Sequence, residues 1–282
     1  MDAVKRLSEP DAIAALSWLE DHDDGDLGPV HPLRRTVRRL VRPLRRAGGR
    51  DGFTGYDATG WDATVWVLHA MYETDEMPSD ITQDENHRIG LATGAVEPEM
   101  IGEINVDEVF ADATVTGVGL GASGWPGPGW RRLFWRELAA RLDVDPYATD
   151  LPPCYRSFPY KSWPLNIAPP AEGSLDREQF LFLLDRLAEA SRDGNRTVCR
   201  AYRAPLATGD LDDHTVFECK LRELFGLYES GGSGGPNNIW PDDKAWFTYT
   251  DWDLWATKVS GSQDLIARIL EDDELEGVVL DF

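Results

Sequence analysis

Cysteine is scarce. Cys154, Cys199 and Cys219 are odd in number, far apart in a chain of 282 residues, and contain no Cys-x-x-Cys pair. That excludes a disulfide framework, and the three read as reduced, packed thiols. Histidine is equally thin. His22, His31, His69, His87 and His214 include no pair at helical spacing and no zinc pattern with cysteine, so no metal site is expected. His69, inside an apolar run, reads as a core residue rather than a ligand. There is no Gly-x-Ser-x-Gly elbow, no His-Glu-x-x-His and no Gly-Lys-Ser or Gly-Lys-Thr, and no motif calls for a cofactor. No run of about eighteen apolar residues exists, so no membrane span is expected. The first residues lack the apolar core of a secretion signal, which leads to the cytoplasm as the expected location. Positive charge is short as well: 28 Lys and Arg face 50 Asp and Glu, a net charge of -22. Such a surface repels nucleic acid and anionic membranes and attracts basic partners.

Aromatic residues are plentiful. Hydrophobic residues make up 42% of the chain and tryptophan occurs eleven times, which fits a folded protein with a sizeable core. Four of these tryptophans lie between Trp240 and Trp255, interleaved with Asp242, Asp243, Asp251 and Asp253. The stretch follows a Gly-rich run, 230–238, that reads as flexible. Two readings are open. The stretch is a pair of core strands, with Trp246, Thr248 and Thr250 on one face and Phe247, Tyr249 and Asp251 on the other. Alternatively Trp240, Trp246, Trp252 and Trp255 form a recognition surface, with the four aspartates complementing a basic partner. Asp251 and Asp253 flank Trp252 and would share a side of a strand, the arrangement of an acid/base pair.

Two other segments carry candidate chemistry. Gly117 to Gly124 is a glycine loop after an expected strand, followed by Trp125, Trp130, Arg131 and Arg132. With Gly121 these residues would form a ligand-binding lip. His31 to Arg46 has the period of a basic amphipathic helix interrupted at Pro43, and Arg34, Arg35, Arg38, Arg39 and Arg42 form a basic patch. That patch is expected to dock on the chain's own acidic surface or on another subunit or, on the alternative reading, to bind nucleic acid or a membrane. Asp21 to Asp26 is an acidic turn whose glycine is misplaced for a calcium loop.

The element pattern predicts an α+β fold, with mixed or antiparallel sheets flanked by helices in one body or two subdomains. Helices are expected after Ser8, after the Thr82–Glu85 capping box up to Gly94, over Trp130 to Leu142, after Ser174, over Leu221 to Tyr228 and after Ser262. Strands are expected at Thr64 to Met71, Ile104 to Val106, Ala113 to Val118, Thr197 to Tyr202, Thr215 to Lys220, Ala245 to Thr250, Ala256 to Val259 and Gly277 to Leu280. The Pro-rich stretch 146–173 divides the chain into an N-terminal region, 1–145, and a C-terminal region, 174–282.

Pro126-Gly-Pro-Gly-Trp-Arg-Arg132 and Tyr249-Thr-Asp-Trp-Asp-Leu-Trp-Ala-Thr-Lys-Val-Ser-Gly261 resemble segments of uncharacterised proteins from GC-rich actinobacteria. In its acidity and Trp-rich α+β pattern the chain is also similar in style to immunity proteins of bacterial toxin systems. That likeness implies a binding protein for a basic protein partner and brings no catalytic residue with it. The rival expectation is an enzyme with its site between the Gly117–Gly124 loop and the Trp240–Trp255 strands.

Overall fold

The computed structural model describes residues 4–21, 60–97, 100–101, 104–105, 125–143, 153, 162–203, 215–230 and 235–279. The Arg-rich segment, the Gly117–Gly124 loop and the strand expected at Ala113 to Val118 lie outside them.

In chain order the elements are β1 (Lys5–Arg6), α1 (Glu9–Asp21), β2 (Ala63–Leu68), β3 (Met71–Glu73), α2 (Gln83–Thr93), β4 (Met100–Ile101), β5 (Ile104–Asn105) and β6 (Arg131–Leu133). There follow α3 (Trp135–Leu142), β7 (Ile167–Ala168), α4 (Arg177–Glu189), β8 (Val198–Arg203), β9 (Thr215–Lys220), α5 (Leu224–Ser230), β10 (Asn238–Pro241), β11 (Phe247–Tyr249), β12 (Ala256–Gly261), α6 (Gln263–Leu270) and β13 (Gly277–Val278). The fold is α+β. An eight-stranded sheet runs β1-β9-β8-β10-β11-β12-β2-β13, antiparallel throughout. A three-stranded sheet runs β6-β3-β7, and β4 pairs with β5.

The central strands of the large sheet are buried on both faces, and the alternation of side chains along them sorts residues between two cores. On β2, Val65 and Val67 join α4, α5 and α6, through Leu183, Leu187, Leu224, Ile266 and Ile269. Trp66 and Leu68 point the other way, into a core with Leu16 of α1, Met71, Leu133, Trp135 and Trp163. Val65, Val67 and Trp66 are each at most 2% exposed. Burial on both faces explains why the strand reads as an unbroken apolar run rather than an alternating one.

Several helix signals act locally. Thr82 and Glu85 close a reciprocal capping box, and Gly94 ends α2 in the left-handed conformation at φ 72°. Ser262 caps α6 by accepting from Leu265 N–H at 3.3 Å. Two expectations are corrected. The helix expected from Trp130 begins only at Trp135, because Arg131–Leu133 is extended and pairs with β3 as β6. The carboxylate of Glu276 then receives the N–H groups of Trp135 and Arg136 at 2.7 and 2.9 Å, so α3 is capped from 140 residues away. At α4 the cap is Asp176, accepting from Gln179 N–H at 2.7 Å, and not Ser174. The Ser174 hydroxyl is already committed, accepting from Gly235 N–H at 3.1 Å and donating to the Leu175 carbonyl.

The Pro-rich stretch does not separate two sheets. β1 and β2 precede it and β8 to β13 follow it, all in the same eight-stranded sheet. The stretch also contributes to the interior: Trp163 is fully buried, and β7 adds a strand to β3. Nor is the end of the Gly-rich run loose. Asn237 and Asn238 are buried, and their side-chain amides donate to the carbonyls of Thr250 and Thr248 across the β10–β11 pair.

Candidate functional site

The Trp240–Trp255 stretch folds as the hairpin β10–β11 and the turn into β12. Its four tryptophans are interior: Trp240, Trp246 and Trp255 are at most 1% exposed and Trp252 is 7% exposed. Trp255 lies 5.4 Å from Trp163 and 5.9 Å from Trp135 between ring centroids. The four tryptophans occupy core positions, and Trp240 also borders an open cleft. Trp246 faces the core with α4 and α6, while Phe247 and Tyr249 face the other, as the strand period requires.

The four aspartates are split between the two ends of β11. Asp242 and Asp243 are exposed in the turn after β10, and Asp243 accepts from Ala245 N–H at 3.2 Å. Asp251 is 2% exposed and its carboxylate accepts from Asp253 N–H at 3.0 Å. Asp251 and Asp253 are therefore residues of a turn, not neighbours along one strand face.

Trp240 and Asp242 line an open cleft of about 390 Å³. Its wall is the α1 face bearing Asp11, Ala14 and Ala15, and Lys5, Leu7 and Lys244 stand around it. Arg200 is opposite both Glu218 and Trp240 in strand register, which places the three side by side beneath the cleft. Its guanidinium holds Glu218 at 2.9 Å and Asp242 at 3.1 Å. Asp11 accepts from the Ser8 hydroxyl at 2.6 Å. The lining is ionic, with Asp11, Glu218 and Asp242 set among Lys5, Lys244 and Arg200, so the cleft has charged groups to recognise a ligand. Sequence reasoning singled out Trp240 and Asp242 but missed Arg200, Glu218 and Asp11. Nothing local marks those three, which are brought together only by the pairing of β8 with β9 and β10.

A second carboxylate pair was also missed. Glu172 lies close enough to Asp253 to feel its charge. Burial, then the Asp253 charge, push the Glu172 carboxyl up to about 6, while the Trp255 side chain opposes them. The turn that brings them together needs Gly173, at φ 75°, where an added Cβ would stand 3.0 Å from the Trp252 Cα. Because Glu172 is ionised at a net cost near neutrality, Glu172→Gln is expected to raise stability by about 1–2 kcal/mol at pH 7 and by less at pH 5. Urea unfolding at the two pH values checks this.

Burial fixes the protonation state of several titratable side chains. His69 is fully buried, with Nδ1 donating to the Ala171 carbonyl at 2.6 Å and Nε2 accepting from the Thr257 hydroxyl at 3.0 Å. Burial lowers it to about 4, so it is neutral at pH 7. Burial pushes the Cys219 thiol up to about 12 and Cys199 higher still. Tyr72 donates to Asp176, both buried, and its proton is held well above the ordinary phenol range by burial and by that carboxylate. Among the described residues no group of three or more His, Cys, Asp or Glu could hold a metal ion.

The expected ligand lip is differently employed. Trp125 is 53% exposed and its indole N–H donates to the Trp130 carbonyl at 3.1 Å. Arg131 pairs with Glu73 and with Glu137, and Arg132 donates to the Glu274 carbonyl at 2.6 Å. Gly121 is outside the described residues, as are Arg34, Arg35, Arg38, Arg39 and Arg42. None of the described lip residues lines the cleft, nor does Asp251 or Asp253. A smaller cavity of about 20 Å³, beside the start of α4, is lined by Ser174, Thr248, Thr250 and Thr257 among others and has room for about one water molecule. No helix among the described residues is long and apolar enough to cross a membrane. No protein-family model matches this chain, and no curated protein or solved structure matches it.

Proposed function

We propose that this chain is a non-catalytic binding protein that captures a basic protein partner, with the cleft between α1 and β10 as its seat. The cleft carries the reading. It is open, it is large enough for several side chains, and it presents Asp11, Glu218 and Asp242 beside Lys5, Lys244 and Arg200. Asp243 stands exposed beside it. The charge of -22 adds long-range attraction for a cationic partner, and Arg200 gives an incoming Lys or Arg a local competitor for the same carboxylates. On this reading the partner replaces part of an existing ion-pair network, so affinity falls as salt rises. The stylistic likeness to bacterial immunity proteins makes a toxin the most economical candidate for the partner.

A pull-down with the immobilised full chain tests this. At low salt a specific basic protein is expected to be retained and to be released by added salt. The variant Asp11→Asn, Asp242→Asn, Asp243→Asn is expected to retain at least tenfold less, about 1.4 kcal/mol. A bare column at low salt, or undiminished capture by the triple variant, would sink the proposal.

A further inference from the structure

Cys199 and Cys219 lie 20 residues apart in sequence but face each other directly across β8 and β9. Opposed residues on paired strands send their side chains to the same side, here into the core beneath α4 and α5. Leu221 N–H donates to the Thr197 carbonyl at 2.8 Å, two steps along the same register. By alternation the cysteines also occupy a hydrogen-bonded pair. Such pairs hold their Cα atoms about 5.5 Å apart, within the range of about 4.4–6.8 Å that a disulfide spans. Their Cβ atoms stand wider than a relaxed bridge prefers, so closing the bond needs a small shear of the two strands and leaves it easily reduced. Both thiols are free, and the Cys199 S–H is directed at the Thr197 carbonyl at 3.6 Å.

We infer that Cys199 and Cys219 form a reversible cross-strand dithiol–disulfide site, oxidised by low-molecular-weight disulfides. Cys219, 4% exposed against 0% for Cys199, is the point of entry. Its thiolate attacks one sulfur of the small disulfide, forming a mixed disulfide and releasing one small thiol. Cys199 then attacks the Cys219 sulfur, the protein disulfide forms and the second small thiol leaves. Two electrons and two protons pass from the protein to the oxidant. The reaction is slow because both thiols hold their protons. Burial is the main cause, with Asp242, Asp243, Glu218 and Glu223 adding to it and Arg200 opposing. The bond also lies one register step from Arg200 and Glu218, so the strand shear is transmitted to the ion pair under the cleft.

The test uses the full chain carrying Cys154→Ser, equilibrated natively with excess oxidised glutathione. The expected product has lost the mass of two hydrogens and carries no free thiol. After trypsin under non-reducing conditions it yields residues 197–200 linked to residues 204–220, and dithiothreitol restores both thiols. Cys199→Ala in the same background is expected to stop at the glutathione adduct on Cys219. The inference is overturned if the two-cysteine chain ends as glutathione adducts without the internal link. Two thiols still free at equilibrium would overturn it equally. This result is independent of whether a basic partner binds the cleft.

Discussion

Trp255→Ala is expected to lower the free energy of unfolding by about 3–5 kcal/mol, a large share of the total stability of any domain. Trp255 is fully buried and its ring meets those of Trp135 and Trp163 at 5.9 and 5.4 Å. Truncation removes that area from the core and leaves a cavity at the point where the large sheet, α3 and the Pro-rich stretch converge. Asp243→Ala, twelve residues away in the same stretch, is expected to change stability by no more than about 0.5 kcal/mol, because its side chain is exposed and bonds only its own turn. Urea denaturation of the two variants separates the roles of tryptophan and aspartate in the segment. Wild-type stability in Trp255→Ala, with weakened capture of a partner, would return the tryptophans to a docking role.

Acidification from pH 7 to pH 5 is expected to cost about 2 kcal/mol through His69 alone, and about 3 kcal/mol by pH 4. The sign follows from proton uptake. In the unfolded chain His69 titrates at 6.5, whereas burial holds it at about 4 in the folded protein. Between those values the unfolded state binds the extra proton. The contribution is therefore complete above 6.5 and is lost as the pH falls toward 4. Glu172 acts in the opposite sense, because its folded value is raised from 4.5 to about 6, and it returns about 1 kcal/mol over the same interval. From these two groups the wild type is expected to lose about 1 kcal/mol between pH 7 and pH 5, Glu172→Gln about 2 kcal/mol, and His69→Gln to gain about 1 kcal/mol, all read by urea unfolding at the two pH values. Identical slopes in all three proteins would refute the assignment. Glu73, drawn below the ordinary carboxylate range by its hydrogen bonds to Arg141 and by Arg131, adds a loss only at still lower pH.

Much of the secondary structure was legible because its causes are local. A capping box, a left-handed glycine and a serine cap each act within a few residues, and α2 and α6 start or stop where those signals stand. The apolar run at Val65 to Leu68 announced a strand, and the period of two at Phe247 to Tyr249 assigned its faces correctly. The errors fall where a distant partner overrode a local preference. Arg131–Leu133 has the pattern of a helix start, but β3 offers it a pairing edge. Ser174 is a good cap by type, but its hydroxyl is engaged by Gly235. Asn237 and Asn238 follow a Gly-rich run, yet they are buried because carbonyls of the neighbouring hairpin strand and turn accept their amides.

The candidate site was less legible than the fold, and for one reason. Asp242 and Trp240 could be noticed in the sequence, but Arg200, Glu218 and Asp11 are ordinary charges until β8, β9 and α1 come together. With fifty acids in the chain, nothing marked Glu172 as the partner of Asp253, or separated Asp251 from it. The same holds for Cys199 and Cys219, which look unrelated at 20 residues' distance and prove to be opposed in register. The sequence by itself determined the α+β class, the strong negative charge and the lack of a recognised catalytic motif, since those depend on composition and short-range order. Only the tertiary structure decided that the tryptophans are wall rather than surface, and which charges meet in the cleft. Strand register, set by burial on both faces of one sheet, brings together residues that no local rule connects.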